Sequence, residues 1–179
     1  MALNEKKLIK LGKHLSFLLR HQKDNPPLDE HGFANVKDVL FLLGINSEEL
    51  NFIVENNDKK RFEYSKDKKM IRARQGHTVK VDVDLKETEP PGFLYHGTST
   101  KSIDKIMKDG ILKMKRLYVH LISDIEIAKE NGSRYGKPCI IVVDTGKMYE
   151  DGIKFYKSNN DVWLTDKVEP KYFSEIIYF

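Results

Sequence analysis

The tripeptide Pro90-Pro91-Gly92 constrains this chain more than any other stretch, because two prolines and a glycine cannot continue a helix or a central strand. The rhythm of apolar residues also changes across it. Before it, three helix-spaced stripes lead into an alternating hairpin; after it, short strands dominate, with two short helices between them. The expected architecture is therefore α+β in two lobes, residues 1–89 and residues 90–179, without the regular strand-helix alternation of a doubly wound sheet. A length of 179 residues suffices for two small lobes, and no internal repeat or low-complexity segment interrupts either half.

In the first lobe, Leu8, Leu11, Leu15 and Leu18 follow the spacing of one helical face and end at Arg20 and His21. At about 100° per residue Arg20 lies nearly opposite that face, with His21 on its flank. Two basic residues in a last turn complement the helix dipole without any ligand. The same two side chains also bind phosphate well. Asp24-Asn25-Pro26-Pro27 stops the helix, and residues 28–34 read as a turn into a short extended segment. Val36, Val39, Leu40 and Leu43 predict a second helix ending at Gly44. Asn46 with Glu49 predicts a capping box opening a third over residues 47–56. Residues 61–65 and 70–74 then alternate as a hairpin around a polar turn. Three helices followed by a basic hairpin is the layout of a winged-helix domain, a common nucleic-acid reader. The net charge is only +4, but residues 58–80 hold nine lysines and arginines against three acids. That excess suits either phosphate neutralisation or a solvated turn. Phe62 and Tyr64 point into a core, which holds Arg61 by packing on both sides.

In the second lobe, Phe93-Leu94-Tyr95 is a strand entering His96-Gly97-Thr98-Ser99, read as a strand-to-helix junction. Its glycine would let a ligand approach the backbone, and the helix N-terminus after it would favour anions. Thr98 or Ser99 capping that helix is the other reading. A helix over about residues 101–108 ends at Gly110. A strand over residues 117–121 carries His120, which equally suits a hydrogen-bonded core position. Ser123 with Glu126 predicts a capping box for a helix to about Glu130, and residues 131–136 form a glycine-bearing loop. Further strands are expected at residues 138–143, 153–156, 162–164 and 172–179. The single cysteine, Cys139, lies in an apolar strand and reads as a core residue, which excludes internal disulfides. No apolar run approaches the ~18 residues of a membrane span, and the N-terminus lacks a signal core, so a soluble cytoplasmic protein without membrane partners is expected. Neither a GxxxxGK[ST] loop nor a GxGxxG turn is present. The six histidines show no tight ligand spacing, so no metal is expected.

Taken in series, LSFLLRH, DKKRFEYS, IRARQGH, LYHGTS, RLYVHL and VWLT resemble the tRNA 2′-phosphotransferase family over nearly the whole length. The resemblance implies a winged-helix-like RNA-binding lobe and an ADP-ribosyltransferase-like split-sheet lobe that binds NAD+ as co-substrate. It implies removal of an internal RNA 2′-monophosphate, such as one left by tRNA splicing, in two steps. The phosphate first displaces nicotinamide, giving a 2′-phospho-ADP-ribosylated RNA, which then yields 2′-OH RNA and ADP-ribose 1″,2″-cyclic phosphate. The family's essential arginine, histidine, arginine and arginine map onto Arg20, His21, Arg61 and Arg116. His96, Gly97, Thr98, His120, Leu121, Ser123, Gly132 and Arg134 become candidate NAD+ contacts. On the basic hairpin, Lys60, Arg72, Arg74, Gln75 and His77 become candidate RNA contacts. The partners so implied are NAD+ and 2′-phosphorylated RNA; a monomer is expected. Around Val162-Trp163 there is no glutamate to activate an incoming acceptor, which fits an acceptor carrying its own negative charge. Two other readings stand beside this one: ADP-ribosylation of terminal RNA or DNA phosphates, and a non-catalytic winged-helix RNA-binding module.

Overall fold

The computed structural model describes residues 5–22 and 24–179. The first residues of the chain, read above as lacking a signal core, lie outside the described residues. The chain divides into two compact units between Asp84 and Leu85, earlier than the Pro-Pro-Gly boundary. Side-chain and backbone bonding explains the shift. Asp82 donates its N–H to Glu30 O and Asp84 pairs with Arg72, so these residues belong with the first unit. Glu87 pairs with Lys154, and Thr88 donates to Phe155 O, so these belong with the second.

The first unit opens with α1 (Glu5–His21), whose buried Leu15, Leu18 and Leu19 are flanked by partly buried Leu8 and Leu11. The buried face is one residue wider than the leucine stripe at 8, 11, 15 and 18, because Leu19 also faces inward. After β1 (Ala34–Asn35) comes α2 (Val36–Leu43), with Asn35 as N-cap and Gly44 at φ 63° as C-cap. The left-handed residue lets the Gly44 N–H reach the carbonyls of Leu40 and Phe41. Both halves of the Asn46/Glu49 capping box are present in α3 (Ser47–Glu55). A hairpin of β2 (Phe62–Tyr64) and β3 (Met70–Ala73) follows, and β1 adds to it in the order β1-β3-β2, all antiparallel. Phe62, Ile71 and Ala73 from this sheet join Val39, Leu50, Ile53 and the α1 leucines in one core. That packing fixes where α1 ends relative to the hairpin, and so where Arg20 and His21 stand.

The second unit contains β4 (Phe93–Ser99), a 3-10 turn (Thr100–Ser102), α4 (Ile103–Asp109), β5 (Ile111–Leu112), β6 (Val119–Ile122) and α5 (Ile125–Ser133). It continues with β7 (Pro138–Asp144), α6 (Thr145–Glu150), β8 (Tyr156–Lys157), β9 (Val162–Thr165), β10 (Lys167–Val168) and β11 (Phe173–Tyr178). Among the described residues the main sheet runs β11-β7-β4-β6-β9-β8, antiparallel throughout, with β5 and β10 paired separately. The chain is thus α+β. In β7, the fully buried run Cys139, Ile140 and Ile141 has both faces covered, which is why it shows no polar alternation. Burial also pushes the Cys139 thiol pKa up, so it stays protonated core.

Three expectations change here. The helix α6 was not expected, and it is held by Asp144 accepting the N–H of Lys147. The N-cap of α5 is Asp124, accepting from Glu126 and Ile127, and not Ser123. The run His96-Gly97-Thr98-Ser99 lies inside β4, paired with residues 138–141 of β7, so it is strand and not a junction loop. Ser99 makes no capping hydrogen bond, which removes the capping role considered for it.

Candidate functional site

The last carbonyl groups of a helix lack intrahelical partners, and at the end of α1 the segment after β3 supplies them. Thr78 donates its N–H to the Arg20 carbonyl at 2.9 Å, and Thr78 Oγ1 lies 3.3 Å from the same oxygen. His21 Nδ1 lies 3.0 Å from Thr78 Oγ1. One turn earlier, the Phe17 ring stands 5.8 Å from the His21 ring at a 46° tilt. Gly76, at φ 88°, has the Arg20 guanidinium in van der Waals reach of where a Cβ would be, 3.4 Å from Cζ. The turn thus lies against both side chains. Arg61 enters β2 with its backbone held on two sides: its N–H donates to Asn57 Oδ1 at 3.0 Å and its carbonyl accepts from Arg74 at 2.9 Å.

His77 sits beneath this group, only 2% exposed. Burial, then the positive charges of Arg20, Arg72 and His21, push its pKa down to about 4. It is therefore a neutral imidazole beside Arg20 and Arg72 near neutral pH, and adds no further charge. Since the unfolded value is near 6.5, the unfolded chain takes up this proton first as pH falls. The stability contributed by a neutral His77 is present above about pH 6.5 and declines toward pH 4. Urea midpoints measured across that window are expected to fall less steeply for His77→Gln than for the wild type.

In the second unit, Arg116 is exposed in the turn before β6, its N–H bonded to Lys113 O at 3.0 Å. Arg116 Nη1 lies 3.0 Å from His120 Nδ1. A guanidinium has no lone pair to offer, so Nδ1 accepts, and a neutral His120 must carry its proton on Nε2. His96 Nδ1 lies 3.2 Å from the His120 carbonyl, which can only accept, so His96 is protonated on Nδ1. Burial and, less strongly, Arg116 hold the His96 pKa below its usual value, keeping it neutral with Nε2 as an acceptor. Two adjacent strands and the turn before β6 thus carry an acceptor imidazole, a donor imidazole and an exposed guanidinium.

A family model described as RNA 2'-phosphotransferase, Tpt1 / KptA family, matches residues 6–167. The chain belongs to that family. Among curated relatives, the probable RNA 2'-phosphotransferase of Flavobacterium johnsoniae is 48% identical over 177 residues, covering 95% of this chain and 97% of the relative. Its counterpart in Fusobacterium nucleatum is 44% identical, covering 92% of this chain and 96% of the relative. That in Escherichia coli is 42% identical, covering 92% and 89%.

Within this RNA 2'-phosphotransferase family chain, several residues expected at ligands have other surroundings. Arg72 is 8% exposed: Nε bonds Glu63 at 2.7 Å, Nη1 bonds Asp84 at 3.1 Å and the His31 carbonyl at 3.2 Å, and the guanidinium stacks on Phe33. A guanidinium so occupied holds the hairpin together. His77 is buried as described, close to Arg20. Arg74 is half-buried, its Nε bonded to Phe62 O at 3.2 Å and near Glu63. Lys60 is exposed in a turn at φ 41°, and Gln75 is half-buried.

On the NAD+ side, a Cβ on Gly97 would collide with the Ala128 carbonyl, and one on Gly132 would stand 2.5 Å from Thr98 O. These two glycines let α5 lie against β4 on the side where a Cβ would stand. Gly132 is helical and buried, not part of a loop. Leu121 is fully buried core, and Thr98 is 8% exposed. Ser123 is exposed ahead of α5, and Arg134 pairs with Glu130 at 3.1 Å. Thr78, which bonds both candidate residues of α1, was outside the expected site. Its signal was only its place at the end of the Gln75-Gly76-His77-Thr78 run.

Proposed function

We propose that the chain is an NAD+-dependent RNA 2′-phosphotransferase that removes an internal 2′-monophosphate, with tRNA as the substrate class. On this reading the first unit is a winged-helix-like RNA-binding lobe and the second an ADP-ribosyltransferase-like lobe. The observation that supports it most is at Arg116. Arg72, Arg74 and Arg134 all lie against carboxylates, whereas the side chain of Arg116 has an imidazole as its partner among the described residues. A guanidinium kept from acids and turned to solvent is suited to an incoming phosphate.

The side chains of the second unit fit a dinucleotide by their chemistry: His96 Nε2 is an acceptor for a ribose hydroxyl, His120 Nε2–H a donor, and Arg116 a cation for anionic oxygens. His96, Thr98, His120 and Ser123 are the residues we assign to holding NAD+, which when bound supplies a ribose carbon that can release nicotinamide. Arg20, Arg61 and Arg116 are the residues we assign to the 2′-phosphate, because forked guanidinium donors suit both holding a phosphate and offsetting the charge that builds as it reacts. His21 donates a hydrogen bond to the phosphate, and a proton to the RNA 2′-oxygen as it departs. No glutamate occurs in β9 (Val162–Thr165) to activate an acceptor, and a phosphate nucleophile needs none.

The test is incubation of the full chain with an oligonucleotide bearing one internal 2′-phosphate, with and without NAD+. Loss of the phosphate only with NAD+ is expected. Survival of the phosphate in both tubes, with the oligonucleotide bound, contradicts the proposal, as does release without NAD+.

A further inference from the structure

We propose that Thr78 is a positioning residue for Arg20 and His21, taking the Nδ1 proton of His21 on its hydroxyl oxygen so that Nε2 is the nitrogen presented to substrate. The inference rests on the role given to His21 above.

A threonine hydroxyl has one proton to donate, and two acceptors compete for it here. One is the Arg20 carbonyl, 3.3 Å away; the other is His21 Nδ1, 3.0 Å away. If the hydroxyl donates to His21, the ring must be neutral with Nδ1 bare, and the bond is lost whenever the ring takes a proton. If it donates to the Arg20 carbonyl, Oγ1 accepts from Nδ1–H instead. The second arrangement serves a neutral ring and an imidazolium alike, since both carry Nδ1–H. A group that gains and loses a proton during a reaction then keeps its orientation throughout, and all the titration falls on Nε2.

The surroundings hold this arrangement in place. The Thr78 N–H is fixed on the Arg20 carbonyl at 2.9 Å, so the residue is anchored before its side chain acts. A β-branched side chain has few χ1 rotamers, which limits where Oγ1 can go. The Phe17 ring stands 5.8 Å from the imidazole. Gly76 reaches φ 88° without strain and brings the turn against the Arg20 guanidinium. One residue thereby sets the main chain of Arg20 and the ring of His21.

The direct test reads the tautomer without any activity assay. The full chain is labelled with 15N-histidine, and the His21 ring is assigned by its loss in His21→Gln. Its nitrogen shifts are then recorded at a pH where the ring is neutral. The wild type is expected to show a protonated Nδ1 and a bare Nε2. Thr78→Ser is expected to keep that state, and Thr78→Val to move toward the other tautomer. In phosphate-removal assays, Thr78→Val is expected to lose about 10- to 100-fold in kcat with KM for the RNA little changed, while Thr78→Ser restores kcat. A bare Nδ1 in the wild type overturns the inference, and so does wild-type kcat in a folded Thr78→Val. Should Thr78→Val fail to fold, the wild-type and Thr78→Ser shifts still decide. Absence of phosphate transfer by the wild type would defeat the proposed function and leave the tautomer result standing by itself.

Discussion

Replacing Arg116 by alanine is expected to lower NAD+-dependent removal of a 2′-phosphate by on the order of 10³-fold, with the melting temperature nearly unchanged. The side chain is exposed in a turn, and its hydrogen bond to His120 Nδ1 is its one side-chain bond among the described residues, so little packing goes with it. What goes is a forked cation, and with it the donor that fixes the tautomer of His120. The loss should therefore appear in kcat as well as in KM for NAD+. Lys68→Ala supplies the comparison, since Lys68 is an exposed turn residue at φ 57° and touches only distant phosphates on the proposed reading. Equal, modest losses for the two variants would remove Arg116 from the chemistry.

Arg20→Lys is the second large expected effect, a drop of on the order of 10²- to 10³-fold in kcat although the charge is kept. The Nε and Nη2 atoms of Arg20 are buried, and its Cζ lies against Gly76, so the planar fork is held in one attitude. A lysine ammonium is a point charge on a flexible stem. It can approach a phosphate but cannot place two donors in a fixed plane. The Thr78 tether acts on the main chain of residue 20, and would survive the change. Thermal melts and kinetics together separate lost geometry from lost folding. Near-wild-type kcat in a folded Arg20→Lys would show that charge alone suffices there.

Local signals in the sequence translated well into local structure. Asn46 and Glu49 form their capping box, Gly44 ends α2 in the left-handed region, and the leucine stripe buries α1. Pairing over long separations did not show itself. The two residues of β1 are too few to display alternation, yet they complete the first sheet, and the order β11-β7-β4-β6-β9-β8 is set by contacts far apart in sequence. The choice between Ser123 and Asp124 as N-cap turned on one residue, both types being good caps.

The site shows the same division. A glycine beside candidate ligand residues equally suits a ligand or a helix, and only the folded chain shows that the Ala128 and Thr98 carbonyls stand where a Cβ on Gly97 or Gly132 would be. Arg72 carried a signal that could have been used. In a hairpin of this register it stands directly opposite Glu63, and opposite charges across a strand pair are expected to bond each other.

The measurement that tests the account most directly follows the phosphate itself. An oligonucleotide labelled with 32P only at one internal 2′-phosphate is mixed with the enzyme and NAD+, and both the label and released nicotinamide are tracked. The label is expected to leave the RNA in a small nucleotide product, with one nicotinamide formed for each phosphate removed. Label appearing as inorganic phosphate without nicotinamide would contradict it.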